Sequence, residues 1–136
     1  MTPNKGNQNP MMDIKQQDLI AMAAALVRPY MPSPDCTSGT VASALLTAAG
    51  NIYTGVCIDT QCGLGFCAEH AAIAEMLKKR EAEIRMIVAV GGEAKVLPPC
   101  GRCRELIWQI SRANRSTWVV LGAEEGKRLE ELLPNR

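Results

Sequence analysis

The sequence predicts an α/β fold: one mixed β-sheet with helices on its faces. Three observations carry that prediction. Segments of helical and strand periodicity follow one another in the order α-β-β-α-β-α-β-α, the order a layered α/β domain produces. Two of the strand segments, Ile84 to Val90 and Thr117 to Leu121, are almost unbroken apolar runs, as strands covered on both faces must be. The 136 residues, 47% of them hydrophobic and 21% charged, suit one core of ordinary composition and leave no room for a second.

Taken in order, residues 1–12 (MTPNKGNQNPMM) have no apolar surface to bury and read as a disordered tail or a cloning remnant; residues 13–136 form the domain. Asp13 is placed to cap a helix from Ile14 to about Arg28, with Leu19, Ile20, Ala23 and Val27 in its apolar stripe and Pro29 at its end. Tyr30 to Ser38, holding Pro32 and Pro34, reads as a loop. Thr40–Thr47 and Ile52–Asp59 read as paired strands around a turn at Gly50. A glycine-rich loop, Thr60 to Phe66, leads into a helix from near Cys67 to about Ala82. After the Ile84–Val90 strand and a loop, a second helix starts at Cys100 and runs to about Ser111. The Thr117–Leu121 strand follows, and Lys127–Leu133 reads as a short closing helix.

Charge and composition narrow the function classes. Fifteen basic side chains against fourteen acidic ones give a net charge of +1, so nothing draws the chain to nucleic acid or to an anionic membrane. Aromatic residues at 4% are too few for a base-stacking platform. The longest apolar run, Leu19 to Val27, falls well short of the roughly 20 residues that span a bilayer. No secretory signal pattern opens the chain, and the expectation is a cytoplasmic protein with reduced thiols.

The six cysteines carry the chemistry. Cys67-Ala68-Glu69-His70 and Pro99-Cys100-Gly101-Arg102-Cys103-Arg104 each stand at a predicted helix start. In a C-x-x-C at that position both thiols lie on one face and reach one ion, and the free N–H groups there favour thiolates. A third thiolate from the other helix start gives three protein ligands and leaves the fourth tetrahedral position open, the arrangement of catalytic zinc. Glu69, two residues after Cys67, can approach that open position without ligating; a carboxylate there can take a proton from water and hand it to a substrate nitrogen. The bland alternative is a closed structural site with Cys62 as fourth ligand, in which Glu69 only favours the helix N-terminus. His70 reads as a packing or hydrogen-bonding neighbour of the site.

Zinc deaminases share a non-ligating Glu followed by P-C-x-x-C. The chain resembles the cytidine deaminase superfamily in its three-cysteine branch over about residues 13–134. It looks closest to the blasticidin S deaminases, in stretches that include Thr40-Val41-Ala42-Ser43-Ala44, Ile52-Tyr53-Thr54-Gly55-Val56 and Ile87-Val88-Ala89-Val90-Gly91. The resemblance implies a three-layer α/β/α fold, one Zn2+ per chain, a nucleoside substrate and a homotetramer. It implies that Cys67, Cys100 and Cys103 bind zinc and that Glu69 is catalytic. It also implies substrate contacts at Ala68, Ser43, Phe66, Cys57 and Asp59, with Arg102 or Arg104 offsetting thiolate charge. The sequence departs from the ordinary pattern on the sugar side: Cys57 and Asp59 stand where an Asn and a Glu hold the ribose, Gly39 replaces a Phe, and His70 replaces an Arg. The activity implied is hydrolytic deamination of cytosine in a free nucleoside. The alternatives are a blasticidin S-type antibiotic deaminase, a polynucleotide deaminase and a non-catalytic zinc module.

Overall fold

The computed structural model describes residues 13–136, so the tail predicted for residues 1–12 lies outside the described residues. Its centre is a six-stranded mixed sheet: β1 (Tyr30–Ser33), β2 (Cys36–Thr47), β3 (Ile52–Thr60), β4 (Ile84–Val90), β5 (Trp118–Val120) and β6 (Gly126–Arg128). The long β2 pairs antiparallel with β1, β3 and β4; β4 and β5 run parallel, and β6 closes antiparallel on β5. The four helices are α1 (Gln16–Ala24), α2 (Ala68–Lys78), α3 (Gly101–Ile110) and α4 (Leu129–Leu132).

Side-chain alternation along the strands divides the core in two. Leu45, Ile87 and Val119 face one way and pack with Ala72, Ile73 and Met76 of α2, Ile107 of α3 and Leu129 of α4. Their neighbours Ala44, Leu46, Val88, Val90 and Val120 face the other way and pack with Leu19 and Ala23 of α1. Helix, sheet and helices thus form the three layers expected. Among the described residues no helix is long and apolar enough to cross a membrane.

Several element boundaries differ from the sequence expectation. Tyr30–Ser33 is an edge strand, not a loop, and β2 starts four residues before Thr40. All four β1 residues are exposed, so no apolar alternation marks the strand, and an edge tolerates Pro32, which has no N–H to pair. Lys127 belongs to β6, and the closing helix is only Leu129–Leu132. The helix after Cys67 ends at Lys78, where Arg80 takes a left-handed φ of 64°. The cap of α1 is Lys15, whose backbone N–H donates to the Asp18 carboxylate at 2.9 Å; Asp13 is not the cap.

Two packing features hold the site's helices in place. Gly55 of β3 lies so close to α2 that a Cβ there would stand 2.5 Å from Ala71 Cβ, and this approach seats the start of α2 against the sheet. Asn114, fully buried, accepts from the Ile84 N–H at 2.8 Å and donates to the Ala82 and Ile107 carbonyls at 3.0 Å each. One side chain thus ties the entry of β4 to the end of α3. Thr117 adds a hydroxyl bond to the Ile84 carbonyl at 2.6 Å.

Candidate active site

Cys67 and Cys100 are the N-cap residues of α2 and α3, both in extended backbone conformation, and Cys103 lies in the first turn of α3. The two helix starts therefore converge. Cys100 Sγ is 3.6 Å from Cys67 Sγ and 3.5 Å from Cys103 Sγ, and all three sulfurs lie within 4.8 Å of one another. A tetrahedral zinc with bonds near 2.3 Å separates its sulfurs by about 3.8 Å, so this donor set fits one zinc ion with little movement. Cys62 is exposed and stands outside the cluster, which removes the fourth thiol that a closed structural site needs.

The thiols differ in environment. Burial pushes the Cys103 thiol far up, and the Glu69 carboxylate adds to the rise; burial also raises Cys67. At Cys100 burial pulls the same way, but the Cys103 and Arg102 backbone N–H groups and the neighbouring thiols outweigh it, and its pKa falls. Those N–H groups are the unpaired donors of the α3 N-terminus. A metal arriving here displaces thiol protons, so its affinity rises with pH.

Glu69, in the first turn of α2, is 5% exposed. Burial raises its pKa, against the opposing pull of its own backbone N–H and the Cys103 thiol. His70 sets Nδ1 3.6 Å from Cys103 Sγ and its ring centroid 6.1 Å from that of Phe66. Burial, and next the charge of Arg102, lowers the His70 pKa.

A cavity of about 430 Å³ opens onto the cluster, within the range of small-molecule sites. Its polar lining falls into two groups by element. Glu69, Cys67, Cys100 and Arg102 belong to the helix starts, whereas Thr40, Cys57, Asp59 and Thr60 belong to β2 and β3. Of the residues singled out from sequence, Phe66, Ala68, Cys57 and Asp59 also line it. Ser43 does not: it is fully buried within the sheet, and its hydroxyl donates to the Val88 carbonyl at 2.8 Å, so it has no face to offer a ligand. Arg104 is outside the lining as well; its Nε donates to the Pro99 carbonyl at 2.8 Å and its Nη1 to that of Leu132 at 3.4 Å, which braces the loop before Cys100. Of the two arginines, Arg102 is the one beside the site.

Thr40 and Thr60 are polar lining residues that sequence reading left without a role. The signal available for Thr40 was Gly39, since a glycine inside a strand pattern often marks a bulge.

The chain matches the family profile described as the cytidine and deoxycytidylate deaminase zinc-binding region over residues 14–120. It is 32% identical over 99 residues to a cytidine deaminase of Halalkalibacterium halodurans, covering 69% of this chain and 74% of that protein. Against a cytidine deaminase of Mycobacterium tuberculosis the identity is 29% over 96 residues, 70% of each chain. Among solved structures, cytidine deaminase of Mycobacterium leprae superposes with a TM-score of 0.75 at 25% identity, over 90% of this chain and all of the other. That of Burkholderia pseudomallei gives 0.71 at 27% identity, over 90% and 98%.

Proposed function

The chain belongs to the zinc-binding family of cytidine and deoxycytidylate deaminases, and from that membership we propose that it hydrolyses the cytosine amine of a free nucleoside, cytidine or deoxycytidine, to the uracil product and ammonia. The observation that carries the reading is Glu69: a buried carboxylate sharing one cavity with three convergent thiols.

Cys67, Cys100 and Cys103 would hold the zinc, whose chemistry when bound is to make water acidic enough to serve as nucleophile near neutral pH. The protein's own groups do the rest. Glu69 accepts a proton from the attacking water and delivers it to the ring nitrogen N3; it then takes the second proton from the hydroxyl now on C4 and delivers it to the departing amine. The C4–N bond breaks as that C4–O bond becomes a carbonyl, so one water is consumed for each ammonia released. A carboxylate whose pKa burial has raised is suited to both halves of that transfer. The Ala68 and Cys100 backbone N–H groups, at helix starts that line the cavity, would meet the reacting end, and Phe66 would wall the base. Asp59 accepts from the 3′-hydroxyl of the sugar, with Cys57 beside it. Arg102 offsets thiolate charge.

The test is ammonia release by zinc-assayed protein on cytidine, deoxycytidine, cytosine, CMP and blasticidin S. Turnover of the two nucleosides above the others is the expected result, and turnover of none of the panel would overturn the reading. Turnover of blasticidin S alone would favour the antibiotic-deaminase reading, for which the specific observation is that Cys57 cannot copy an amide at the sugar wall. We place the enzyme in cytoplasmic pyrimidine salvage as a homotetramer. The exposed Tyr30, Met31 and Leu64 support association, and sedimentation equilibrium checks it.

A further inference from the structure

The β2–β3 ladder breaks its register at one place. Cys36, Thr37 and Ser38 pair with Thr60, Asp59 and Ile58, and pairing resumes at Ala42 with Val56. Three residues of β2, Gly39, Thr40 and Val41, therefore face the single residue Cys57. Such bulges re-aim a side chain beside an active site. Gly39 makes this one possible. Its φ is +80°, its carbonyl accepts from the Arg28 N–H at 2.9 Å, and a Cβ on it would stand 2.4 Å from the Arg28 carbonyl oxygen.

The bulge brings Thr40 into the cavity lining beside Cys57 and Asp59. Thr40 Oγ1 lies 3.2 Å from Cys57 Sγ and 3.3 Å from Asp59 Oδ2. Cys57 is buried and occupied: its sulfur accepts from the Val41 N–H at 3.4 Å, and its thiol reaches Asp59 Oδ2 at 3.5 Å. Below it, the Ser38 hydroxyl donates to the Cys57 carbonyl at 2.7 Å. The thiol's one proton is thus committed to Asp59, and the sulfur itself is buried. Asp59 forms no ion pair among the described residues.

We propose that Thr40 is a specificity-determining residue that reads the sugar 3′-hydroxyl together with Asp59, while Cys57 only holds the two in place. The proposal rests on the nucleoside deaminase reading above. A hydroxyl of a ligand donates to the carboxylate, which is an acceptor only, and accepts from Thr40 Oγ1–H, which is freed when the Cys57 thiol takes over the bond to Asp59. The pair has capacity for one hydroxyl. Thr60 also lines this wall, but the pair of Thr40 and Asp59 reads only the 3′-hydroxyl, which ribose and deoxyribose share.

The experiment compares zinc-loaded wild type, Thr40→Val and Thr40→Ser on cytidine, 2′-deoxycytidine and 2′,3′-dideoxycytidine. Wild type should process the first two within about threefold of each other. Thr40→Val, which keeps the shape and loses the hydroxyl, should raise KM about tenfold on both, with kcat held within about twofold, and should leave dideoxycytidine unaffected. Thr40→Ser should restore KM. A loss of equal size on all three nucleosides, a loss confined to kcat, or no loss at all would overturn the role of Thr40 and leave the deaminase reading standing. Wild-type protein holding one zinc per chain and deaminating none of the three would overturn both.

Discussion

Two buried polar side chains, Asn114 and Glu69, solve opposite problems. Asn114 has every polar atom engaged: one acceptor and two donor bonds, all to backbone, join three segments of the chain. Glu69 is as nearly buried, yet burial raises its pKa and only its own backbone N–H and the Cys103 thiol pull the other way, while its charge in turn raises the Cys103 thiol. A buried group that is fully satisfied serves stability. One left in tension is available to a reaction partner, in the proposed reaction the proton passed from water to substrate.

That contrast can be broken most severely by taking away the metal. Chelation should abolish ammonia release, and stoichiometric zinc should restore it; activity that survives below one-tenth zinc per chain would remove the thiol cluster from the mechanism. Next in size, Glu69→Gln should lower kcat by about 10²–10⁴-fold while zinc content, read by atomic emission, stays at one per chain. The metal-free Gln variant should also melt higher than metal-free wild type at pH 7. Burial raises the Glu69 pKa, so the ionised form costs stability above the carboxylate range. Asn114→Ala should show the reverse pattern. Urea unfolding should report a loss of about 3 kcal/mol, because buried backbone groups lose their partners, with kcat of the folded fraction unchanged.

The smallest effect lies at a third polar cluster, where the Glu81 carboxylate accepts from Tyr53, from Thr47 at 2.7 Å and from Asn51 at 3.0 Å. The hydrogen bond to Glu81, and next burial, pushes the Tyr53 phenol up to about 12. Its contribution is present below the unfolded value near 10 and fades as pH rises through about 12. In a Tyr30→Phe background, ultraviolet titration should find that midpoint, and Glu81→Gln should bring it back toward about 10.

The part of the site that sequence reveals is the part made by local spacing. Cys100 and Cys103 are one helical turn apart and Glu69 is two residues from Cys67, so their chemistry can be read without knowing the tertiary fold. Thr40 depends on a register shift between β2 and β3, which no local pattern fixes, and Ser43 looked like a ligand contact only because its stretch resembled a known one. In the fold, doubly covered strands such as β4 announce themselves by apolar runs. β1 and β6 do not, because their side chains are largely exposed and backbone pairing alone defines them. Asn114 stands in a polar stretch, Arg112–Ser116, that reads as surface loop; its burial comes from where β4 and α3 meet.

The placement of the thiols on two helix starts, with α2 and β4 between them in the chain, sets an order of assembly. Cys100 and Cys103 form a local pair that even an unfolded chain presents. Cys67 joins them only after β4 has docked beside β2 and α3 has swung back over the sheet. The complete three-thiol site thus exists only in a chain that has its topology, so an ion held by all three thiols favours the native state over the unfolded one.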